Sequence, residues 1–97
     1  MVIGVARVSL HIPESMSLKD KRQVMKSLLA QVQREYHLSA AEVDEHDIHR
    51  IGVIGLAVVS TEAGHADAML CRAVAFLENS KHAAQLLDYQ TEIIHVF

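Results

Sequence analysis

The chain is predicted to fold as an α+β sandwich of order β-α-β-β-α-β, with one four-stranded antiparallel sheet carrying both helices on one face. Three observations predict it. Hydrophobicity alternates with period two over residues 2–12, then switches to a helical period over 18–36. The run Ile51-Gly52-Val53-Ile54-Gly55-Leu56-Ala57-Val58-Val59 is apolar throughout, as a central strand covered on both faces is. A second helical period over 62–79 is followed by strand formers over 86–96.

In the first strand Val2, Gly4, Ala6, Val8, Leu10 and Ile12 share one face; Ile3, Val5, Arg7, Ser9 and His11 share the other. Pro13 stops it. Ser17 is placed to cap the first helix, with Asp20 three residues on as the capping-box partner. The expected buried stripe is Leu18, Met25, Leu29, Val32 and Tyr36, with Val24 and Leu28 at its border. Residues 38–45 read as a shorter strand, joined to 50–60 through the polar turn Glu45-His46-Asp47-Ile48-His49 as a hairpin. Gly52 and Gly55 weaken that strand but admit a close neighbour. Ser60 or Thr61 is expected to cap the second helix, which buries Ala66, Met69, Leu70, Ala73, Val74 and Leu77. This order matches the ferredoxin-like split βαβ arrangement, with the first and third strands in the middle. The helices then leave one sheet face open. That face carries Ile3, Val5 and one set from 51–59, and an open apolar face of this kind predicts a partner. The bland partner is a second copy, so a homodimer through the sheet or an edge strand is expected.

Ninety-seven residues, 51% apolar and 22% charged, make a single globular domain spanning 1–97. No window resembles a membrane span, and the stretch Met1-Val2-Ile3-Gly4-Val5 reads as neither a basic leader nor a cleavage site. One cysteine, Cys71, suits a reducing compartment, so a cytoplasmic location is expected. The net charge of -3 rules out a general polyanion trap, and nothing points to DNA. Charge is nevertheless uneven: Lys19, Lys21, Arg22, Lys26 and Arg34, five of nine basic residues, fall on the first helix.

That cluster is the strongest functional pointer. Cations in a helix's first turn oppose its dipole, so stability alone does not place them there. Ser17, Lys19, Lys21, Arg22 and Lys26 are therefore the candidate anion site, with RNA backbone or a ribosomal surface as the ligand. The bland alternative is a solvated helix face whose Lys and Arg stems cover apolar edges. An RNA reader that stacks bases on its sheet is disfavoured. The aromatic residues are Tyr36, Phe76, Tyr89 and Phe97, and none lies in the first or third strand.

Asp44, His46, Asp47 and His49, with His11 and His95, are metal-ligand types, but no ligand motif organises them and no metal or other cofactor is expected. Cys71 lies about 140° from the buried stripe of its helix and has no base beside it in sequence. His65 and His82 sit at the ends of the second helix, where His82 suits the C-terminal dipole. No paired carboxylates, phosphate loop or nucleophile elbow appears, so no enzyme is expected.

Val2-Ile3-Gly4-Val5 with Ile12-Pro13, Ser17-Leu18-Lys19-Asp20-Lys21-Arg22, Ala41-Glu42-Val43-Asp44 with Asp47, and Gly55-Leu56-Ala57-Val58-Val59-Ser60 together resemble the YlxP-like family of small uncharacterised bacterial proteins, nearly end to end. The block at 17–22 is the most distinctive part. The resemblance implies a ferredoxin-like fold. It also implies a gene neighbourhood among translation and ribosome-maturation factors, hence a ribosome or RNA connection. It supplies no catalytic residues. Ser17, Leu18, Lys19, Asp20, Lys21 and Arg22 are the signature positions it carries over, with Asp44 a weaker one; His46 and His49 are less characteristic.

Overall fold

The computed structural model describes residues 1–80 and 84–97. It contains β1 (Val2–His11), α1 (Leu18–Tyr36), β2 (Ser39–Asp44), β3 (Ile51–Ser60), α2 (Ala63–Glu78) and β4 (Gln85–His95). The sheet order is β2-β3-β1-β4 and every neighbouring pair is antiparallel. This is the ferredoxin-like βαββαβ sandwich, with β3 and β1 in the middle. No helix among the described residues is long and apolar enough to cross a membrane.

Directly opposed residues in an antiparallel ladder share a face. β1 pairs with β3 so that Gly4 opposes Val58, Ala6 opposes Leu56 and Val8 opposes Ile54. These residues, with Val2, Leu10 and Ile12, form the floor of the core. Both helices lie on that floor. A Cβ on Gly4 would meet Ala66 and Leu70 of α2, and one on Gly52 would come within 2.5 Å of Met25 Sδ of α1. The expected close approach at Gly52 is therefore made by Met25. At Gly55 it is made by Val43 from β2, on the opposite face. The tilted rings of Tyr36 and Phe76, 5.7 Å apart, join the two helices.

Two local expectations are corrected. The buried stripe of α1 is Lys21, Met25, Leu28 and Val32, while Leu18, Leu29 and Tyr36 are only half-buried. Neither Ser60 nor Thr61 caps α2. Ser60 is still paired with Val2 in the sheet, so the cap falls to Glu62. The Ser60 hydroxyl instead accepts the Glu62 N–H at 3.1 Å, turning the chain from strand to helix.

The larger correction is Lys21. Expected in the exposed basic cluster, it is fully buried. Its ammonium donates to the carbonyls of Glu45 at 2.7 Å and Ile51 at 3.0 Å and lies 3.0 Å from Glu42 Oε2. One side chain thus ties the first turn of α1 to both strands of the β2–β3 hairpin. Glu45 adopts a left-handed backbone, φ 54°, and its carbonyl is the closest of the three partners.

Removing one member of a buried ion pair strands the other, at a cost of about 3–5 kcal/mol. Lys21→Met is expected to lower the unfolding free energy by about that much, measured by urea denaturation, whereas Arg22→Glu on the exposed neighbour should move it by at most about 0.5 kcal/mol. Equal small effects would show that the buried contacts contribute little.

Candidate functional site

The cations of α1 divide by helical position. Lys21 lies on the inward stripe with Met25, Leu28 and Val32, and is withdrawn from any surface site. Lys19, Arg22 and Lys26, spaced i, i+3, i+7, are exposed along one flank and form no ion pair among the described residues. Arg22 and Lys26 border a groove of about 450 Å³ between α1 and β2, floored by Met25, Leu29 and Glu42. Ser17 does cap the helix: its hydroxyl accepts the Asp20 N–H at 3.1 Å. Asp20 accepts in return from Met16 N–H at 3.0 Å, one residue outside the cap. Of the five expected anion ligands, the structure presents three together at the surface, spends one on capping and buries one.

The second surface is the face away from the helices. Its register sets out four rows: Ile94-Ile3-Val59, Glu92-Val5-Ala57-Ser39, Gln90-Arg7-Gly55-Ala41 and Asp88-Ser9-Val53-Asp44. The first row is wholly apolar, and Val59 is 65% exposed. Val43 overlies Gly55 beside these rows. Arg7 is the cation of the face and is held by Asp44 at 2.6 Å. Asp88 and Glu92 on β4 make no ion pair among the described residues. The face is thus an apolar stripe with an acidic rim. Sequence patterning found the stripe; the rim needed the register of β4.

Two donors bear on the carboxylate of Asp44. The Glu45 N–H donates to it at 2.8 Å and Arg7 adds a charged donor, so its carboxyl is held below the ordinary aspartate range. A depressed folded-state pKa contributes stability above the unfolded value, and this is lost as pH falls through the folded one.

The remaining candidates stay apart. No three His, Cys, Asp or Glu side chains among the described residues gather as a metal site. His46 and Asp47 point into solvent from the hairpin turn, and His11 Nδ1 faces Gln85 at 3.4 Å. Cys71 is exposed, with Asp67 3.9 Å from its sulfur. His82 lies outside the described residues. One pair escaped the sequence reading: Ser60 Oγ and His65 Nδ1 are 2.9 Å apart. Nucleophilic chemistry would need a third group to orient the ring, and no other hydrogen-bond partner of His65 is found among the described residues. The pair reads as part of the strand-to-helix turn.

A family model described as a protein of unknown function (DUF503) matches residues 3–91. Over 78 residues the chain is 32% identical to the uncharacterized protein YlxP of Bacillus subtilis, covering 80% of this chain and 85% of that one. Among solved structures, a conserved protein of unknown function from Bacteroides thetaiotaomicron, described as a possible oxidoreductase, is 13% identical, covers 95% of each chain and gives a TM-score of 0.48. At that level of likeness its described chemistry does not transfer.

In a carboxyl-carbon NMR titration Asp44 is expected to titrate below the ordinary aspartate midpoint. Arg7→Gln should raise that midpoint only part of the way, because the Glu45 N–H remains. A midpoint unmoved by Arg7→Gln would show that the Arg7–Asp44 pair is not populated in solution.

Proposed function

The chain belongs to the DUF503 family, and on that footing we propose that it acts by binding rather than by catalysis, as a cytoplasmic protein-interaction module whose working surface is the open sheet face. The observation that carries this reading is the apolar row Ile94-Ile3-Val59, exposed at both ends, beside Asp88 and Glu92, two acids without an ion pair among the described residues. An apolar stripe with an acidic rim suits a protein surface of apolar centre and Lys or Arg border, and repels nucleic acid. Ten-residue central strands in a four-stranded sheet give a face of about 600 Å². That sits at the lower bound of the ~600–1,000 Å² per partner of a standard interface, so the contact is a small one.

A second reading is favoured by one observation: Lys19, Arg22 and Lys26 remain exposed and unpaired on a single helix flank among the described residues. That flank suits phosphate, and RNA backbone or a ribosomal surface is its natural ligand. It lies on the helix layer, away from the sheet face, so the two surfaces can be tested separately.

Purified ribosomal subunits offer both basic protein surface and phosphate backbone, and co-sedimentation with them discriminates the readings. The leading one expects Val59→Glu to weaken binding tenfold or more, and wild-type affinity to fall only gently with salt, through the acidic rim alone. The second expects the triple variant Lys19→Glu/Arg22→Glu/Lys26→Glu to abolish binding, and wild-type affinity to fall steeply as salt rises. Loss with the triple variant alone would overturn the sheet-face reading. No pelleting of the wild type would remove the ribosome as the target of either surface.

A further inference from the structure

We infer that two copies of this chain join β4 to β4 about a two-fold axis at Thr91, making one continuous eight-stranded sheet. The inference does not depend on which surface meets a partner.

β4 is an edge strand and, at eleven residues, the longest in the sheet; the other edge, β2, has six. Its outward backbone groups can be identified. The Val96 N–H donates to the Met1 carbonyl at 2.9 Å, in the same register that opposes Val2 to His95 and Ile3 to Ile94. Backbone groups alternate sides along a strand, so Ile94, Glu92 and Gln90 turn theirs towards β1. Tyr89, Thr91, Ile93 and His95 therefore present N–H and C=O to the free edge. Natural edges are usually blunted by charged side chains, lysine above all, by proline or by a bulge, and of the charged kind β4 carries the acids Asp88 and Glu92. β4 has neither lysine nor proline, and its irregularity lies at the far end, opposite Ser9 and Leu10. It also carries three exposed large apolar residues, Leu87, Tyr89 and Ile94.

Charge selects the register. A two-fold axis perpendicular to the sheet keeps each face with its like, so odd-numbered residues oppose odd ones. An axis at Gln90 would oppose Asp88 to Glu92 of the second copy, and an axis at Glu92 would oppose that acid to itself; both are destabilising. An axis at Tyr89 runs the pairing into the irregularity at Leu87, and one at Ile93 overlaps only residues 91–95. An axis at Thr91 overlaps 87–95. It opposes Thr91 to Thr91 and Tyr89 to Ile93 twice over, as threonine and aromatic–β-branched pairs that favour antiparallel sheets. Gln90 then faces Glu92, and Asp88 faces Ile94, so no acid meets an acid.

Light scattering after size exclusion is the first test: the wild type should run at twice its 10.8 kDa chain mass. A wild type that stays monomeric at about 0.5 mM overturns the inference, since a specific contact has a dissociation constant below the millimolar range. Thr91→Pro removes only an outward N–H and should give a monomer. Thr91→Lys sets two ammonium groups face to face and should do the same, which covers the case in which the proline variant fails to fold. A dimer that survives in the folded variants overturns the inference. For the register, Thr91→Cys in a Cys71→Ser background should form an interchain disulfide. Tyr89→Cys/Ile93→Cys in that background should form two, since opposed Cα atoms in such a pair lie within disulfide reach. Cross-linking through Ile93→Cys alone, with none through Thr91→Cys, would overturn the Thr91 axis. Val59→Glu should leave the dimer mass unchanged, so failure here and failure of the sheet-face reading are separate results.

Discussion

A single buried ammonium sets the relation between helix and hairpin in this molecule. Lys21 reaches the Glu45 carbonyl, the Ile51 carbonyl and the Glu42 carboxylate, spanning β2, the turn and the start of β3 from the first turn of α1. No apolar side chain could do this, because the turn offers bare carbonyls that need a donor. The neighbouring contacts extend the same joint. Ile12 N–H donates to the Arg50 carbonyl at 2.8 Å, and Arg50 Nε donates to the Ser15 carbonyl at 3.2 Å. The loop after β1, the helix start and the hairpin turn are therefore one hydrogen-bonded corner. The distinctive block at 17–22 is first of all the sequence of that corner.

β1 was legible because alternation with period two gathers apolar side chains on one face of a strand and scatters them around a helix, and β3 because its run is apolar on both faces. Their pairing followed from the order of elements, and the open face from the helices' sharing one side. Lys21 was not legible, because lysine is almost never fully buried unless it is paired, and its partners Glu42, Glu45 and Ile51 come from 21, 24 and 30 residues away. One signal was present. Positions 21, 25, 28 and 32 keep helical spacing, so a lysine stood where the apolar stripe needed its next member. The α2 cap failed for a related reason: Ser60 has good capping chemistry but was already held in the sheet opposite Val2. In both cases a long-range contact overrode a sound local preference.

Burial of Lys21 also reinterprets the unfavourable placement of cations at the start of α1. That charge is neutralised by Glu42 and by carbonyl dipoles rather than left to oppose the helix dipole. The puzzle then shrinks to Lys19 and Arg22, which solvent and their apolar stems accommodate easily. The molecule's surfaces consequently divide by direction: cations on the helix layer, an acid-rimmed apolar stripe beneath the sheet, and bare backbone along β4. None occludes another.

The central position of β1 has a consequence for how the molecule comes into being. Val2 is paired with His95, and Ile3 with Ile94. β1 must wait for β4, which follows every other strand of the sheet in sequence, before both of its flanks are paired. During synthesis β1 and β3 can close together, but one flank of β1 stays without its partner until β4 has left the ribosome. Contacts so far apart in sequence make folding slow to finish. They also leave the nascent chain holding an unpaired, apolar strand edge, the kind of surface that chaperones shield.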